Sequence, residues 1–98
     1  MSPKEISRKL GEIRKELDER GVAAIYLFGS TVRGDAKESS DIDLLVDFRP
    51  GARKSLFALI GLQHLLEDHL GRKVDMVPRD SIHPALKEGI LAECKHVA

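Results

Sequence analysis

Apolar residues recur along the first twenty positions at the spacing of one helix face. Ser2–Glu5 (SPKE) has the composition of a helix start, with a serine cap, a proline at the first helical position and a glutamate three residues after the cap. The apolar stripe that follows consists of Ile6, Leu10, Ile13 and Leu17. Gly21 adopts a positive φ at little steric cost, so we expect the helix to end there.

Two strands follow, and their patterns differ. Ala23–Phe28 is continuously apolar or aromatic, which is typical of a strand covered on both faces. Residues 29–40 are glycine-rich and polar, and they predict a turn with one short helical piece. From Asp41 to Phe48 apolar residues alternate with acidic ones, with Leu45 as the exception. A period of two predicts a strand with one buried face, and Pro50–Gly51 closes it.

The second half of the chain reads as helix, strand and helix. A broad apolar stripe predicts a helix that ends at Gly71; its members are Leu56, Phe57, Leu59, Ile60, Leu62, Leu65, Leu66 and Leu70. Lys73–Val77 is a short strand with Asp75 on the face opposite Val74 and Met76. Pro84 opens a last helix whose expected inward positions are Leu86, Ile90 and Leu91. The order α-β-turn-β-α-β-α predicts an α/β (α+β) fold, a small mixed sheet with helices packed on it.

Composition narrows the classes of function. The 98 residues include 16 basic and 16 acidic ones, so the net charge is zero. Proteins that bind the nucleic-acid backbone normally carry an excess of basic residues. The zero net charge therefore argues against direct binding of nucleic acid. We expect a single domain over residues 1–98, with no membrane span and no signal peptide. The one cysteine, Cys94, has no partner for an intrachain disulfide, which favours a cytoplasmic location.

Three acidic side chains are candidates for chemistry. Asp41 and Asp43 share one strand face, roughly 6.5–7 Å apart along the strand. The β-α-β unit from Asp41 to Val77 predicts two parallel strands. If these strands are neighbours, Asp75 lies on the same exposed face as Asp41 and Asp43. Three such carboxylates repel one another, and a divalent cation with hard oxygen ligands, Mg²⁺, would relieve that repulsion. A solvated acidic face is the alternative, and for an arbitrary Asp-X-Asp pair it is the commoner one.

The segment just upstream favours the metal site. Gly29-Ser30 follows the buried strand directly, and a glycine there lets a phosphate approach the backbone while the serine adds a hydroxyl donor. Arg33 offers a guanidinium for phosphate, although a surface ion pair with Asp35 or Glu38 explains it equally well. A phosphate cradle next to an acidic pair predicts a site for a nucleoside triphosphate.

Taken together, these residues resemble the signature of the minimal nucleotidyltransferases, the smallest members of the polymerase-β-like nucleotidyltransferase superfamily. The segments that carry the resemblance are Leu27–Ser30 (LFGS), Arg33–Ala36 (RGDA), Ser40–Val46 (SDIDLLV) and Leu70–Asp75 (LGRKVD). The resemblance extends through the helix that precedes Asp75 and so covers most of the chain, and none of the catalytic positions departs from the family pattern. The resemblance implies the polymerase-β-like fold.

The same resemblance implies a reaction and a partner. It implies transfer of AMP from ATP with two Mg²⁺ ions, in which Asp41 and Asp43 bind both ions and Asp75 holds the ion that activates the acceptor hydroxyl. Gly29, Ser30 and Arg33 would bind the nucleotide. Members of this family are often antitoxins that adenylylate a tyrosine of a HEPN-domain toxin. The short chain leaves no room for an acceptor-binding domain, which independently predicts that a partner presents the acceptor.

Other polar residues receive ordinary roles. His64 and His69 are five residues apart and do not share a helix face as metal ligands would, and His83 and His96 stand alone. Asp47 shares a face with Asp43 but lies farther along the strand, where a surface charge is expected.

Two further functions stay open. The first is a binding module that neutralises its partner by complex formation, with transfer slow or absent. The second is nucleotidyl transfer to a nucleic acid or a small molecule, which zero net charge and the absence of an acceptor domain disfavour. The intact set of Asp41, Asp43 and Asp75 favours the enzyme, because a scaffold has no physical need for three repelling carboxylates. We expect the leucine stripe of residues 56–70 to pack mainly in the core. Any part of the stripe that the core leaves uncovered could bind a partner helix.

Overall fold

The computed structural model of the chain describes residues 2–28, 41–52, 55–82 and 84–98. The helices are α1 (Pro3–Glu12), α2 (Arg14–Glu19), α3 (Leu56–Leu70) and α4 (Pro84–Glu93), and a 3-10 turn spans Arg79–Ser81. The strands are β1 (Val22–Phe28), β2 (Ile42–Phe48), β3 (Val74–Pro78) and β4 (Lys95–His96). The predicted order of helices and strands is confirmed for the described residues, with three differences: the first helix is split, and the 3-10 turn and β4 are additional. The turn predicted over residues 29–40 lies outside the described residues.

The four strands form one mixed sheet in the order β3-β2-β1-β4. β1 runs antiparallel to both β2 and β4, whereas β2 and β3 run parallel and are connected through α3. A helical crossover is the connection that a parallel pair requires. The predicted small mixed sheet with packed helices is therefore confirmed.

The first helical segment is two helices rather than one. Ser2 caps α1 as expected, because its Oγ accepts a hydrogen bond from the Glu5 N–H at 3.2 Å. At Ile13 the backbone leaves the helical region (φ −114°, ψ 21°), and its N–H donates to the Leu10 carbonyl three residues back. Gly11 lies within this tight turn and contributes little helix stability. Ile13 is still only 7% exposed, so the predicted stripe faces the core across the break.

The core lies between the helices and one face of the sheet. Its members from the sheet side are Val22, Ile25, Leu27, Ile42, Leu44, Val46, Val74 and Val97, and those from the helices are Ile6, Leu10, Ile13, Leu17, Leu62, Leu66 and Leu70. Apolar residues of β2 and β3 alternate toward this layer, as the period of two predicted.

The expectation that β1 is covered on both faces is wrong. Ile25 and Leu27 are fully buried, but Ala23 is exposed, and Tyr26 and Phe28 are half-buried. The reason is that the core helices pack on one face of the sheet only. A continuous apolar run therefore marks a central strand here, with aromatic residues tolerated on its second face.

Both ends of α3 match the sequence signals. The Ser55 Oγ accepts from the Ala58 N–H at 3.2 Å, and Gly71 ends the helix with φ 68°. The apolar stripe is buried only in part: Leu56, Phe57 and Ile60 are 70%, 87% and 42% exposed. Within the described ranges no helix is both long enough and apolar enough to cross a bilayer.

The end of the chain adds a strand that the sequence did not predict. β4 pairs with β1 through Tyr26 and Leu27, and Val97, 4% exposed, closes the core next to it. α4 begins at Pro84 as predicted. Its expected inward side chains, Leu86, Ile90 and Leu91, lie outside what the structure describes.

Candidate active site

Asp43 and Asp75 are paired residues of the parallel strands β2 and β3. Paired residues of neighbouring strands have their side chains on the same face, and the two strands lie about 4.8 Å apart. Asp43 is half-buried and Asp75 is exposed. The predictions that the strands are parallel neighbours and that Asp75 joins Asp43 on one face are confirmed.

Core packing determines which face the two carboxylates occupy. Ile42, Leu44 and Val74 are 1%, 0% and 3% exposed and point toward the helices. Because side chains alternate along a strand, Asp43 and Asp75 point to the opposite face. The apolar residues of the two strands thus position the acidic ones.

Asp41 extends this acidic face by one further residue. It immediately precedes β2, is exposed, and lies two residues before Asp43, on the same side of the chain. The Ile42 N–H donates to the Lys73 carbonyl at 2.9 Å, which fastens the start of β2 to the start of β3. All three predicted carboxylates consequently lie at one end of one sheet face, here called the carboxylate face.

The third strand to reach this end is β1. Its last residue, Phe28, is paired with Asp43. The predicted phosphate cradle, Gly29, Ser30 and Arg33, lies outside the described residues. β1 therefore ends beside the carboxylates, and the roles of the three cradle residues stay predictions.

The carboxylate oxygens on this face are the type of ligand atom that Mg²⁺ prefers. Within the described ranges no group of three or more His, Cys, Asp or Glu side chains is gathered closely enough to hold a metal ion. Mg²⁺ is commonly bound by one or two carboxylates together with waters and substrate phosphates. Asp43 and Asp75, side by side on adjacent strands, supply that number of hard oxygen ligands. The residues fit an ion that is held jointly with a triphosphate better than one held by the protein alone.

Asp47 has a different partner. Its Oδ2 lies 3.1 Å from Nη1 of Arg79, and the two side chains are 33% and 39% exposed. This ion pair connects the far end of β2 to the 3-10 turn after β3. Asp47 is thus engaged in an ion pair at the end of β2 that lies away from Asp41 and Asp43.

A small apolar layer adjoins the carboxylates on the same face. Leu45, two residues from Asp43, is completely buried although its position alternates with the core residues. Its paired neighbour on β1 is Tyr26, and the Tyr26 ring lies 5.3 Å from the His96 ring at an interplanar angle of 56°. The exception in the acidic alternation is therefore a second buried position, on the face opposite the main core.

The histidines have structural or surface positions, as expected. His64 is exposed, and His96 packs on Tyr26. The Nε2 atom of His69 lies 3.3 Å from Oε1 of Glu12, within ion-pair range but without the geometry of a hydrogen bond. His83 lies outside the described residues.

Lys73 is a residue of the carboxylate face that the sequence reading did not single out. It is exposed and lies two residues before Asp75, so that the two side chains share a face. The same period-2 argument that placed Asp75 would have found it.

The sequence matches the nucleotidyltransferase domain family over residues 8–97. It is 45% identical over 94 residues to the protein adenylyltransferase MntA of Thermococcus cleftensis, an alignment that covers 95% of this chain and 93% of that protein.

The fold is similar to two solved structures. One is a proposed minimal nucleotidyltransferase, with a TM-score of 0.79, 33% identity, and coverage of 96% of this chain and 94% of that one. The other belongs to a toxin–antitoxin complex solved with AMP-PNP, with a TM-score of 0.74, 26% identity, and coverage of 94% of this chain and 72% of that one.

Proposed function

Since the chain belongs to the nucleotidyltransferase family, we propose that it is a Mg²⁺-dependent protein adenylyltransferase. In this proposal it transfers AMP from ATP to the hydroxyl group of a tyrosine on a HEPN-domain toxin. It thereby acts as the antitoxin. The observation that carries the proposal is the pairing of Asp43 with Asp75. Asp41, two residues before Asp43 in the sequence, lies on the same face. The similarity to a protein adenylyltransferase over nearly the whole chain supports a protein acceptor.

The three carboxylates have distinct roles in this proposal. Asp41 and Asp43 hold Mg²⁺ together with the triphosphate, and Asp75 holds the ion next to the acceptor hydroxyl. Bound Mg²⁺ supplies polarisation of the α-phosphate, a lower pKa for the attacking hydroxyl and neutralisation of the leaving pyrophosphate. The acceptor oxygen forms a bond to the α-phosphorus, the bond from that phosphorus to the β-phosphate bridge breaks, and the hydroxyl proton leaves to solvent.

The nucleotide is proposed to enter beside the end of β1. β1 ends at Phe28, which is paired with Asp43, and Gly29, Ser30 and Arg33, which follow in the sequence, are proposed to bind the phosphates there. Glycine has no side chain, so it leaves the backbone N–H groups accessible to a phosphate. These N–H groups and a serine hydroxyl are suitable hydrogen-bond donors for phosphate oxygens. A structural neighbour in a complex with AMP-PNP, an ATP analogue, supports ATP as the nucleotide.

The acceptor is proposed to be a protein partner. The same neighbour belongs to a toxin–antitoxin complex, which supports a toxin as that partner. The exposed carboxylate face is accessible from solvent, since Asp41 and Asp75 are both exposed. A side chain presented by another protein can therefore approach it.

The test measures the mass of the toxin. Purified wild-type protein, Asp75→Asn and the control Asp68→Asn are each mixed with a purified HEPN-domain toxin from the same organism, with Mg²⁺ and ATP. Asp68 is an exposed carboxylate on α3 and lies outside the carboxylate face. We expect one or more AMP groups on a toxin tyrosine with wild type and with Asp68→Asn, and none with Asp75→Asn.

Two results would contradict the proposal. Unmodified toxin after incubation with wild type argues against transfer to this acceptor. Neutralisation of the toxin by Asp75→Asn at matched expression, with no added mass, argues for inhibition by complex formation. Omitting Mg²⁺ from the wild-type reaction tests the metal requirement in the same assay.

A further inference from the structure

Lys73 lies directly across from Asp41 at the entrance of the carboxylate face. The register pairs Ile42 with Val74, so the preceding residues, Asp41 and Lys73, are opposite each other on the two parallel chains. Val74 is 3% exposed and points into the core, which directs Lys73 and Asp75 to the other face. Lys73 therefore lies on the same face as the three carboxylates, and its backbone is one strand spacing, about 4.8 Å, from that of Asp41.

The backbone around Lys73 is firmly held. Its carbonyl accepts from the Ile42 N–H at 2.9 Å. The next N–H, of Val74, donates to Oε2 of Glu67 at 3.1 Å, and the Val74 carbonyl accepts from Nε2 of Gln63 at 3.1 Å. Gln63 and Glu67 of α3 thus fix the start of the strand, and the Lys73 side chain is exposed. A fixed Cα with a mobile ammonium is suited to following a charged ligand.

We propose that Lys73 binds the phosphate chain of the nucleotide substrate. This inference rests on the proposed function, because it assumes that a triphosphate occupies the carboxylate face. It assigns the lysine a direct contact with phosphate oxygens, in addition to the carboxylates that hold the metal.

The balance of charge provides the reason. Three carboxylates and a triphosphate leave the site negative even with two divalent ions bound. A lysine ammonium beside Asp41 reduces that excess and donates charge-assisted hydrogen bonds, which are stronger than neutral ones. Arg79, farther along the same face, is held by Asp47 at 3.1 Å. Lys73, in contrast, lies at the acidic end of this face, where the proposed function places the phosphates.

A purely structural role is the competing explanation. Opposite charges directly across two strands stabilise a sheet, and Lys73 and Asp41 would form such a pair. A structural pair predicts that loss of Lys73 lowers stability and leaves phosphate affinity unchanged. The two explanations therefore differ in ligand binding, not in activity alone.

The experiment compares binding of two probes, Mg²⁺ with AMP-PNP and Mg²⁺ with inorganic tripolyphosphate. The variants are Lys73→Gln, Lys73→Arg and the control Lys95→Gln. Lys95 is exposed on β4 and pairs with Leu27, whose side chain is fully buried in the core layer, so it lies on the other face of the sheet. Urea unfolding of each variant checks that the fold is intact.

We expect Lys73→Gln to weaken both probes by about tenfold or more, the size of a hydrogen bond to a charged group. Lys73→Arg should recover most of the affinity, and Lys95→Gln should match wild type. Equal affinity of Lys73→Gln and wild type for tripolyphosphate overturns the inference, whether or not AMP-PNP binding changes. In that result the proposed function stands; failure of wild type to bind either probe overturns both.

Discussion

Asp43 and Asp75 place two carboxylates side by side on adjacent parallel strands. Like charges directly opposite each other destabilise a sheet, and Asp41 adds a third at the same end. The neighbouring positions show that this is no requirement of the fold, since Leu45 and Val77, the paired residues two positions on, are apolar. We therefore expect the repulsion between the carboxylates of Asp43 and Asp75 to lower stability, and a bound cation to offset it.

This cost gives the first prediction. Without divalent ions and at low ionic strength, Asp75→Asn should raise the free energy of unfolding, at the lower end of about 0.2–1 kcal/mol because Asp75 is exposed. Urea unfolding measures the change, and Asp68→Asn, away from the sheet, serves as the control. The gain should shrink with added NaCl, because salt screens exposed charges. A destabilised Asp75→Asn would show that the carboxylate is stabilised by its surroundings instead.

The second prediction concerns ligand-induced stability. A ligand that binds the native state raises its stability by RT ln(1 + [L]/Kd). Mg²⁺ with AMP-PNP should therefore raise the melting temperature of wild type above that with AMP-PNP alone. Asp41→Asn should lose this Mg²⁺-dependent increment, whereas Asp75→Asn should keep most of it, because Asp75 is assigned to the ion at the acceptor. Equal increments in wild type and Asp41→Asn would exclude Asp41 as a metal ligand.

The third prediction separates backbone strain from steric clash at two glycines. Gly21 and Gly51 both have φ 81°, but a Cβ on Gly21 would lie 2.7 Å from the Cβ of Ala52, whereas one on Gly51 meets nothing within 4 Å. Gly51→Ala should cost about 1–2 kcal/mol, the penalty for a left-handed residue with a side chain. Gly21→Ala should cost more, and the difference between the two in urea unfolding measures the clash. Equal costs would mean that the loop carrying Ala52 moves aside freely.

The position of Asp75 could be predicted from the sequence because two independent constraints agree. Alternation assigns the faces of β2 and β3, and a helical crossover makes the strands parallel, so the acidic face follows without knowledge of side-chain contacts. Lys73 obeys the same rule and was missed because a lone lysine carries no motif. The carboxylate face was thus predictable, whereas the contacts around it were not.

Other features leave no signal in the sequence pattern. β4 has two residues, Lys95 and His96, which are too few to show alternation, and it exists because β1 offers an edge to pair with. The turn at Ile13 cannot be predicted from the sequence pattern either, because the apolar stripe continues across it. Leu45 was visible as an exception to the acidic alternation, but only the tertiary structure shows that it is buried.

The fourth prediction concerns Gly61, a glycine within α3. Glycine costs a helix interior about 1 kcal/mol relative to alanine. A Cβ at this position would lie 3.3 Å from Nη1 of Arg20, the end of a flexible, exposed side chain. Because that guanidinium can shift by a few tenths of an ångström, Gly61→Ala should stabilise the chain by about 0.5–1 kcal/mol in urea unfolding. A destabilised variant would show that Arg20 is fixed where it lies.

The last prediction concerns the chain end that completes the sheet. The Ile25 N–H donates to the Ala98 carbonyl at 2.7 Å, and the Ile25 carbonyl accepts from the Val97 N–H at 2.9 Å. Val97 itself is 4% exposed. Val97→Ala removes two buried methyl groups and should lower the free energy of unfolding by about 1–3 kcal/mol. Lys95→Ala, at an exposed position of the adjoining strand β4, should change it by no more than about 0.5 kcal/mol.

Removal of residues 95–98 should cost more than Val97→Ala. It exposes the same apolar surface and also leaves both backbone groups of Ile25, a fully buried residue, without their partners. Urea unfolding of the truncated chain beside Val97→Ala separates the contribution of the strand pairing from that of the side chain. Equal losses in the two would show that water replaces the backbone hydrogen bonds of β4 at no cost, and that Val97 alone attaches the chain end to the core.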